Sequence, residues 1–189
     1  CKDDEQFADR WMDSMGEADE VVVLDTGSSD GTVERLRARG ARVEREIISP
    51  WRFDDARNRS LELVPEDADI CVCTDLDEVF HPGWRRALES AWGPGTGQAA
   101  YRYTWSFAPD GSEGVVFWSE KAHARRGYRW VHPVHEVLEY TGEGTEQFVD
   151  AEGVQLDHHP DPSKSRGQYL PLLELAVREE PDNDRNRHY

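Results

Sequence analysis

Three acidic side chains, Asp75, Asp77 and Glu78, follow at once on a short run of apolar and thiol residues, Ile70-Cys71-Val72-Cys73. The run has the composition of a strand buried on both faces, and such a strand gains no stability by ending in clustered carboxylates. A carboxylate rarely leaves water unless something pairs with it, because desolvating an ion is expensive. The partner that suits oxygen donors at this spacing is a hard divalent cation, Mg²⁺ or Mn²⁺, with a phosphorylated substrate completing its shell. Asp-x-Asp alone also occurs in solvated loops, so its place at the carboxyl end of a strand is what makes it a site.

Two further segments offer polar groups of the right kind. In VVVLDTGSSDGT a strand runs through Asp25 into a Gly-containing turn and a helix start. Ligands of open α/β sheets bind beyond the carboxyl ends of the strands. Asp25 can therefore accept hydrogen bonds from a base or ribose, or it can simply organise a well-built turn with Ser28 and Asp30. Arg57 follows Asp54 and Asp55 on a helix turn. Its fork suits a diphosphate beside an acidic metal site; the alternative is an ordinary surface Arg among acids. Later, KAHARRGYRWVHPVHE brings His132, His135 and Glu136 close together without the H-E-x-x-H metal spacing. VQLDHH ends an alternating strand in Asp157, His158 and His159, with Lys164 and Arg166 close behind as a possible cationic lid.

The elements that must position these residues alternate in the first half. Phe7, Trp11 and Met15 share a helical face, and Gly16 ends that helix. Glu20 to Asp25 reads as a strand, and Ser29 or Asp30 caps a helix over 32–39 that Gly40 stops. Val43 to Ile48 reads as a strand. Asp54 then caps a third helix, Ile70 to Thr74 forms a strand, and Pro82 opens a fourth helix with Trp84, Leu88 and Ala91. Such alternation predicts a largely parallel sheet covered by helices. The second half changes to period two: Tyr101, Tyr103, Trp105 and Phe107 alternate with polar residues, and Val115 to Trp118 returns across Pro109-Asp110-Gly111 as a hairpin partner. Short strands near 134–140 and 154–157 and a helix over 164–179 complete the prediction. There is no internal repeat.

A chain of 189 residues can bury a substantial core, supplied here by seven Trp, six Tyr and six Phe. Its formal charge of -17 disfavours unaided binding to nucleic acid or to an anionic membrane. Three cysteines make no disulfide framework, and Cys71-Val72-Cys73 is a poor zinc site, so free thiols in a reducing compartment are expected. No apolar run approaches the roughly 20 residues needed to span a bilayer, and no secretory signal is visible. A cytoplasmic location is expected. Cys1 in place of Met and a helical pattern close to Tyr189 read as the ends of a piece of a longer polypeptide.

Together, the LDTGSSDGT strand-turn, WRFDDARNRS and DLDE resemble the D-x-G-S-x-D-G-T turn, A-R-N helix and D-x-D loop of family-2 glycosyltransferases of GT-A fold. The order is the same, and the resemblance spans residues 2 to 92. Lys2-Asp3-Asp4-Glu5 is similar to that family's K-N-E-E, with Asp3 replacing Asn, although the strand that precedes it in the family is missing here. The resemblance implies an α/β GT-A domain over 1–189, with a mostly parallel central sheet, a smaller antiparallel region on the acceptor side and the first strand absent. Residues 1–92 would form the nucleotide-sugar half, 93–160 the acceptor half and 161–189 a lid and helix.

It also implies transfer of a sugar from a nucleotide-diphospho-sugar, UDP by family habit, to an acceptor hydroxyl, with Mn²⁺ or Mg²⁺ and inversion. Asp25, Arg57 and Asp75 would contact the donor; Lys164 and Arg166, read from the sequence itself, would fold over its diphosphate or else simply balance nearby acids. Asp77 and His158 would hold the metal, strand phase favouring His158 over His159. Glu136, or failing it His135, would be the general base, which must sit within about 3 Å of the acceptor hydroxyl. Glu78, Trp105 and Trp130 would contact the acceptor or support the site. The aromatic stripe Tyr101 to Phe107 reads by itself as core, and only where partly exposed would Trp105 or Tyr103 stack on a sugar ring. Two other classes stay open: a sugar-1-phosphate nucleotidyltransferase, and a non-catalytic nucleotide-sugar-binding module. The donor sugar and the acceptor are not encoded in any motif.

Overall fold

The computed structural model describes residues 1–162, 164, 167 and 169–185. Helix α1 (Glu5–Ser14) buries Phe7, Ala8, Trp11 and Met12, the stripe that helical spacing brings to one face. Strand β1 (Val22–Asp25) is joined by helix α2 (Thr32–Ala38) to β2 (Arg42–Arg45), which lies parallel to it. Asp30 receives the Thr32 N–H at 3.0 Å and so helps open α2. Gly40, at φ 96°, turns the chain out of it. Helix α3 (Phe53–Leu63) starts at an extended Arg52, so Asp54 stands in its first turn rather than at its cap, buried and paired with Arg52 at 2.8 Å.

The remaining elements are β3 (Ile70–Val72), β4 (Glu78–Phe80), α4 (Trp84–Ala91), β5 (Gln98–Thr104), β6 (Val116–Ala124), β7 (Tyr128–Val131), β8 (Val137–Tyr140), β9 (Phe148–His158) and α5 (Tyr169–Glu179). The expectation of a mostly parallel sheet is corrected by their pairing. β1 and β2 form a separate parallel pair, and the main sheet runs β3-β6-β5-β9-β4 with β5–β9 as its one parallel pair. The hairpin of the second half is the reason: antiparallel strands need only a turn between them, and β6 returns from β5 to lie beside β3. β3 is consequently an edge strand. Cys71 is buried, but Ile70 and Val72 are only half-buried beside a cleft between β3 and β1, so the strand is not enclosed on both faces as its composition suggests. β4 and β7 were not anticipated, β4 because it opens on an acid and β7 because it hides in a His- and Arg-rich segment.

β5 is the centre of the core. Tyr101, Tyr103 and Ala99 are buried there beside Val154 and Leu156 of β9. Helix α4 covers β9, with Trp84 stacked on Phe80 at 4.7 Å. Gly153 permits this approach, because a Cβ there would stand 2.9 Å from that of Ala87. No helix among the described residues is long and apolar enough to cross a membrane.

Helix α3, which carries Arg57, is tied to β7 by one side chain. Asn58 donates to the Trp130 carbonyl at 2.9 Å and accepts the Trp130 N–H at 2.8 Å, replacing a strand neighbour for β7. Asn58→Ala removes both bonds and leaves two backbone groups unmatched, so we expect a loss of about 2 kcal/mol in urea unfolding. A loss below about 0.5 kcal/mol, the range of ordinary surface substitutions, would show that the clamp does not hold α3.

Candidate functional site

The acidic loop is positioned by the residue that ends it. Glu78 opens β4 and is 2% exposed. Its Oε1 accepts from the Tyr103 hydroxyl at 2.7 Å and from Lys121 Nζ at 2.9 Å, and its Oε2 accepts the Asp75 N–H at 2.9 Å. Both oxygens are thus committed to holding the loop 73–77 against β5 and β6. With Glu78 fixed, Asp75 and Asp77 point to different partners.

Asp75 meets Arg57 Nη2 at 2.8 Å and Lys121 Nζ at 3.8 Å. Burial acts to raise its pKa, but these two cations hold its carboxyl well below the usual carboxylate range. Arg57 reaches further: Nε donates to Glu136 at 3.0 Å and Nη1 to Cys73 Sγ at 3.4 Å, with the guanidinium 5.6 Å from the centre of the Trp130 ring. Burial opposes its charge, yet the carboxylates of Asp75 and Glu136 keep it firmly protonated. Arg57 therefore bridges the acidic loop and the β7–β8 connection, a link between Asp75 and Glu136 that their spacing in sequence did not reveal.

Asp77 turns toward β9. Its Oδ2 lies 3.4 Å from Nε2 of His158, whose Nδ1 is 3.1 Å from the Trp105 carbonyl. A carbonyl only accepts, so Nδ1 carries a proton and Nε2 faces the carboxylate. A lone pair facing a carboxylate is repulsive unless a proton or a metal ion lies between them. Burial disfavours the imidazolium, but the bonds to Asp77 and Trp105 raise the His158 pKa overall. For an ion with bonds of about 2.1 Å, neighbouring donors stand about 3.0–3.4 Å apart, so one carboxylate oxygen and one imidazole nitrogen fit the same Mn²⁺ or Mg²⁺. Among the described residues no group of three or more His, Cys, Asp or Glu side chains forms a metal site. An ion at this pair would need its other donors from water or a ligand, as is usual for cations that ride on diphosphates.

These groups border one cleft of about 1900 Å³, with Asp75, Asp77, Glu136, His158, Trp105 and Lys164 among its walls. Lys164 Nζ lies on the Asp4 carboxylate and 3.2 Å from the Lys2 carbonyl, at the cleft's edge. His135 also borders the cleft; its backbone has φ 53° and its ring meets Tyr169 edge-on at 5.9 Å. Trp130 is buried beneath Arg57. Asp25 does not border the cleft. It is fully buried, accepting from the N–H of Ser28 at 3.1 Å and of Gly27 at 3.3 Å and from Arg45 Nε at 2.9 Å, which matches the turn-organising alternative. Arg166 falls outside the described residues.

Sequence reasoning missed Lys121, Tyr103 as a partner of Glu78, and Arg45. The signal for Lys121 was present, since it is the single Lys between Lys2 and Lys164 and sits in a strand pattern.

No family model matches the chain, and no curated protein matches it. Among solved structures, glucosyl-3-phosphoglycerate synthase from Mycobacterium tuberculosis superposes with a TM-score of 0.61 at 20% identity, over 94% of this chain and 75% of that one. The same enzyme in complex with Mg²⁺ and UDP gives 0.56 at 20% identity, over 86% and 70%. With Mn²⁺, UDP-glucose and phosphoglyceric acid it gives 0.56 at 21%, again over 86% and 70%. A structure described only as a mycobacterial protein gives 0.57 at 21%, over 86% of this chain and 66% of that one, so the chain spans about two thirds of its length. At such identities the likeness shows a shared fold alone, an α/β domain with a mixed sheet.

Lys121→Met should leave Glu78 buried without its cation, which costs about 3–5 kcal/mol when one partner of a buried pair is removed. Urea unfolding of the variant measures this. A loss under 1 kcal/mol, the range of an exposed pair, would mean that Lys121 does not hold the acidic loop.

Proposed function

We propose that the chain is the catalytic domain of a glycosyltransferase that moves a sugar from a nucleotide-diphospho-sugar, with UDP as the nucleotide, to an acceptor hydroxyl. The observation that carries this reading is the Asp77–His158 pair, two donors set for one divalent ion on the wall of a cleft, in a fold shared with a glycosyltransferase. The neighbours named with UDP, UDP-glucose, Mg²⁺ and Mn²⁺ support the choice of donor and ion for this chain.

Asp77 and His158 would hold Mn²⁺ or Mg²⁺, which when bound offsets the negative charge that grows on a departing diphosphate. Asp75 faces the donor from the loop, kept in place by Arg57 and Lys121. Arg57, held between Asp75 and Glu136, and Lys164, held on Asp4, line the cleft that a diphosphate would enter, so the diphosphate shares their charge with those carboxylates. Asp25 acts from beneath, shaping the turn 26–31. Glu136 takes the proton of the acceptor hydroxyl as that oxygen attacks the anomeric carbon from the side opposite UDP, which inverts the configuration; His135 is the second choice for this role. Arg57 orients Glu136 before the acceptor arrives, and such positioning is a large share of what a base contributes.

A panel of nucleotide-sugars with Mn²⁺, scored by nucleotide release, tests the reading. UDP release from at least one UDP-sugar is expected, and its loss in Asp77→Ala with an unchanged melting temperature. Glu136→Gln should lower turnover by 10²-fold or more, on the order of what a general base supplies, while UDP binding is retained. Nucleotide release that persists fully in EDTA would remove the metal from the account. Formation of a nucleotide-sugar from sugar-1-phosphate and UTP would replace transfer by nucleotidyl transfer.

A further inference from the structure

Three aromatic rings lie open beside the Asp77–His158 pair. Trp105 is 42% exposed, Phe107 37% and Phe117 44%. They belong to one surface. Tyr103, one step inward on β5, stacks on Phe117 at 4.9 Å and on Trp105 at 6.2 Å, and Trp105 stands 6.5 Å from Phe117. On its inner side Trp105 stacks on the His158 ring at 4.4 Å, and Phe107 stacks on His159 at 5.5 Å with the planes 5° apart. A shelf of ring faces thus leads from the ion-binding pair outward, with Trp105 itself on the cleft wall.

Clustered exposed aromatics beside a polar centre mark a binding surface, and the local charge says what kind of ligand suits it. Strands β4, β5, β6 and β9, which carry or flank the shelf, contain two cationic side chains other than histidine, Arg102 and Lys121. Arg102 is committed to Glu113 at 2.6 Å and Lys121 to Glu78 at 2.9 Å. The turn beyond the shelf adds Asp110 and Glu113. A phosphate or carboxylate placed on Trp105 and Phe117 would meet anions and two cations already paired, while Arg10 lies at the far, Phe107–His159 end of the shelf. A pyranose ring fits better, because one of its faces is C–H and packs on aromatic rings while its hydroxyls project from the edge toward polar neighbours.

We propose, resting on the glycosyl-transfer reading above, that Trp105 with Phe117 and Phe107 forms an acceptor subsite for a neutral pyranose. The acceptor is then a sugar or glycoside, not a phosphorylated small acid like the phosphoglyceric acid named with one of the structural neighbours.

Saturation-transfer NMR of methyl β-D-glucopyranoside, methyl α-D-mannopyranoside and methyl β-D-galactopyranoside reads the subsite without metal, donor or turnover. Transfer to the ring C–H protons of at least one glycoside is expected. Its dissociation constant should rise about tenfold, equivalent to ~1.4 kcal/mol, in both Trp105→Ala and Phe117→Ala. Trp105→Phe should recover most of the binding. Trp118→Ala should change nothing, because Trp118 pairs with Arg102 and so points to the opposite face of the sheet from Phe117, which pairs with Tyr103. Phe117→Ala leaves the Trp105–His158 stack in place, which separates loss of the shelf from damage to the ion-binding pair. No signal from any of the three glycosides, equal binding in both alanine variants, or displacement of the glycoside by 3-phosphoglyceric acid would overturn the proposal. Glycoside binding that obeys these expectations in a chain that releases no nucleotide would instead overturn the transfer reading and leave the pyranose subsite standing.

Discussion

A buried carboxylate must be matched, and in this protein the matching of Glu78 organises everything around it. Glu78 is 2% exposed, and its two oxygens are shared among Tyr103, Lys121 and the Asp75 amide. That arrangement draws one residue from each of β4, β5 and β6 to a single point and fixes the direction in which the preceding loop leaves the sheet. Left unpaired at this depth, the charge would oppose folding. Paired, it turns the end of the short edge strand β3 into a rigid support for two more carboxylates.

The two carboxylates then face different partners. Asp75 is neutralised by Arg57 and Lys121, and Arg57 carries the connection on to Glu136 across the cleft. Asp77 is left facing His158, a partner that satisfies it only with a proton or a metal ion between them. A chain with a formal charge of -17 has few cations to spend inside, and Arg57 and Lys121 stand between carboxylates that would otherwise repel one another. The Asp77–His158 pair is where a further positive charge is still favourable. The same strands that build this centre expose Trp105 and Phe117 on one face, so the Asp77–His158 pair and the aromatic shelf share a single scaffold.

Local pattern made part of this legible. The apolar run before Asp75 identified the loop, the strand phase near Val154 pointed to His158 rather than His159, and the turn after Asp25 was recognised, although Gly31 rather than Ser29 or Asp30 stands at the N-cap of α2. What stayed hidden depends on pairing between distant segments. Glu78 and Lys121 are 43 residues apart and Arg57 and Glu136 are 79 apart, separations at which residue type alone does not specify a contact. The sheet was misread for the same reason. Helix-strand alternation predicts parallel neighbours, but β3 found its partner in β6, a hairpin strand from the second half, because that edge is where β6 returns. Arg57 was assigned to a ligand's phosphates on its chemistry, and its bonds to two carboxylates of the protein could not be read from a helix turn.

The central claim is that Asp77 and His158 provide only part of an ion's shell and that a nucleoside diphosphate provides the rest. Electron paramagnetic resonance of Mn²⁺ titrated into the protein, with and without UDP, addresses it directly. Weak ion binding to the protein alone, a marked tightening when UDP is present, and loss of that tightening in Asp77→Ala are expected. Tight Mn²⁺ binding that is indifferent to UDP, or tightening that survives in Asp77→Ala, would contradict it.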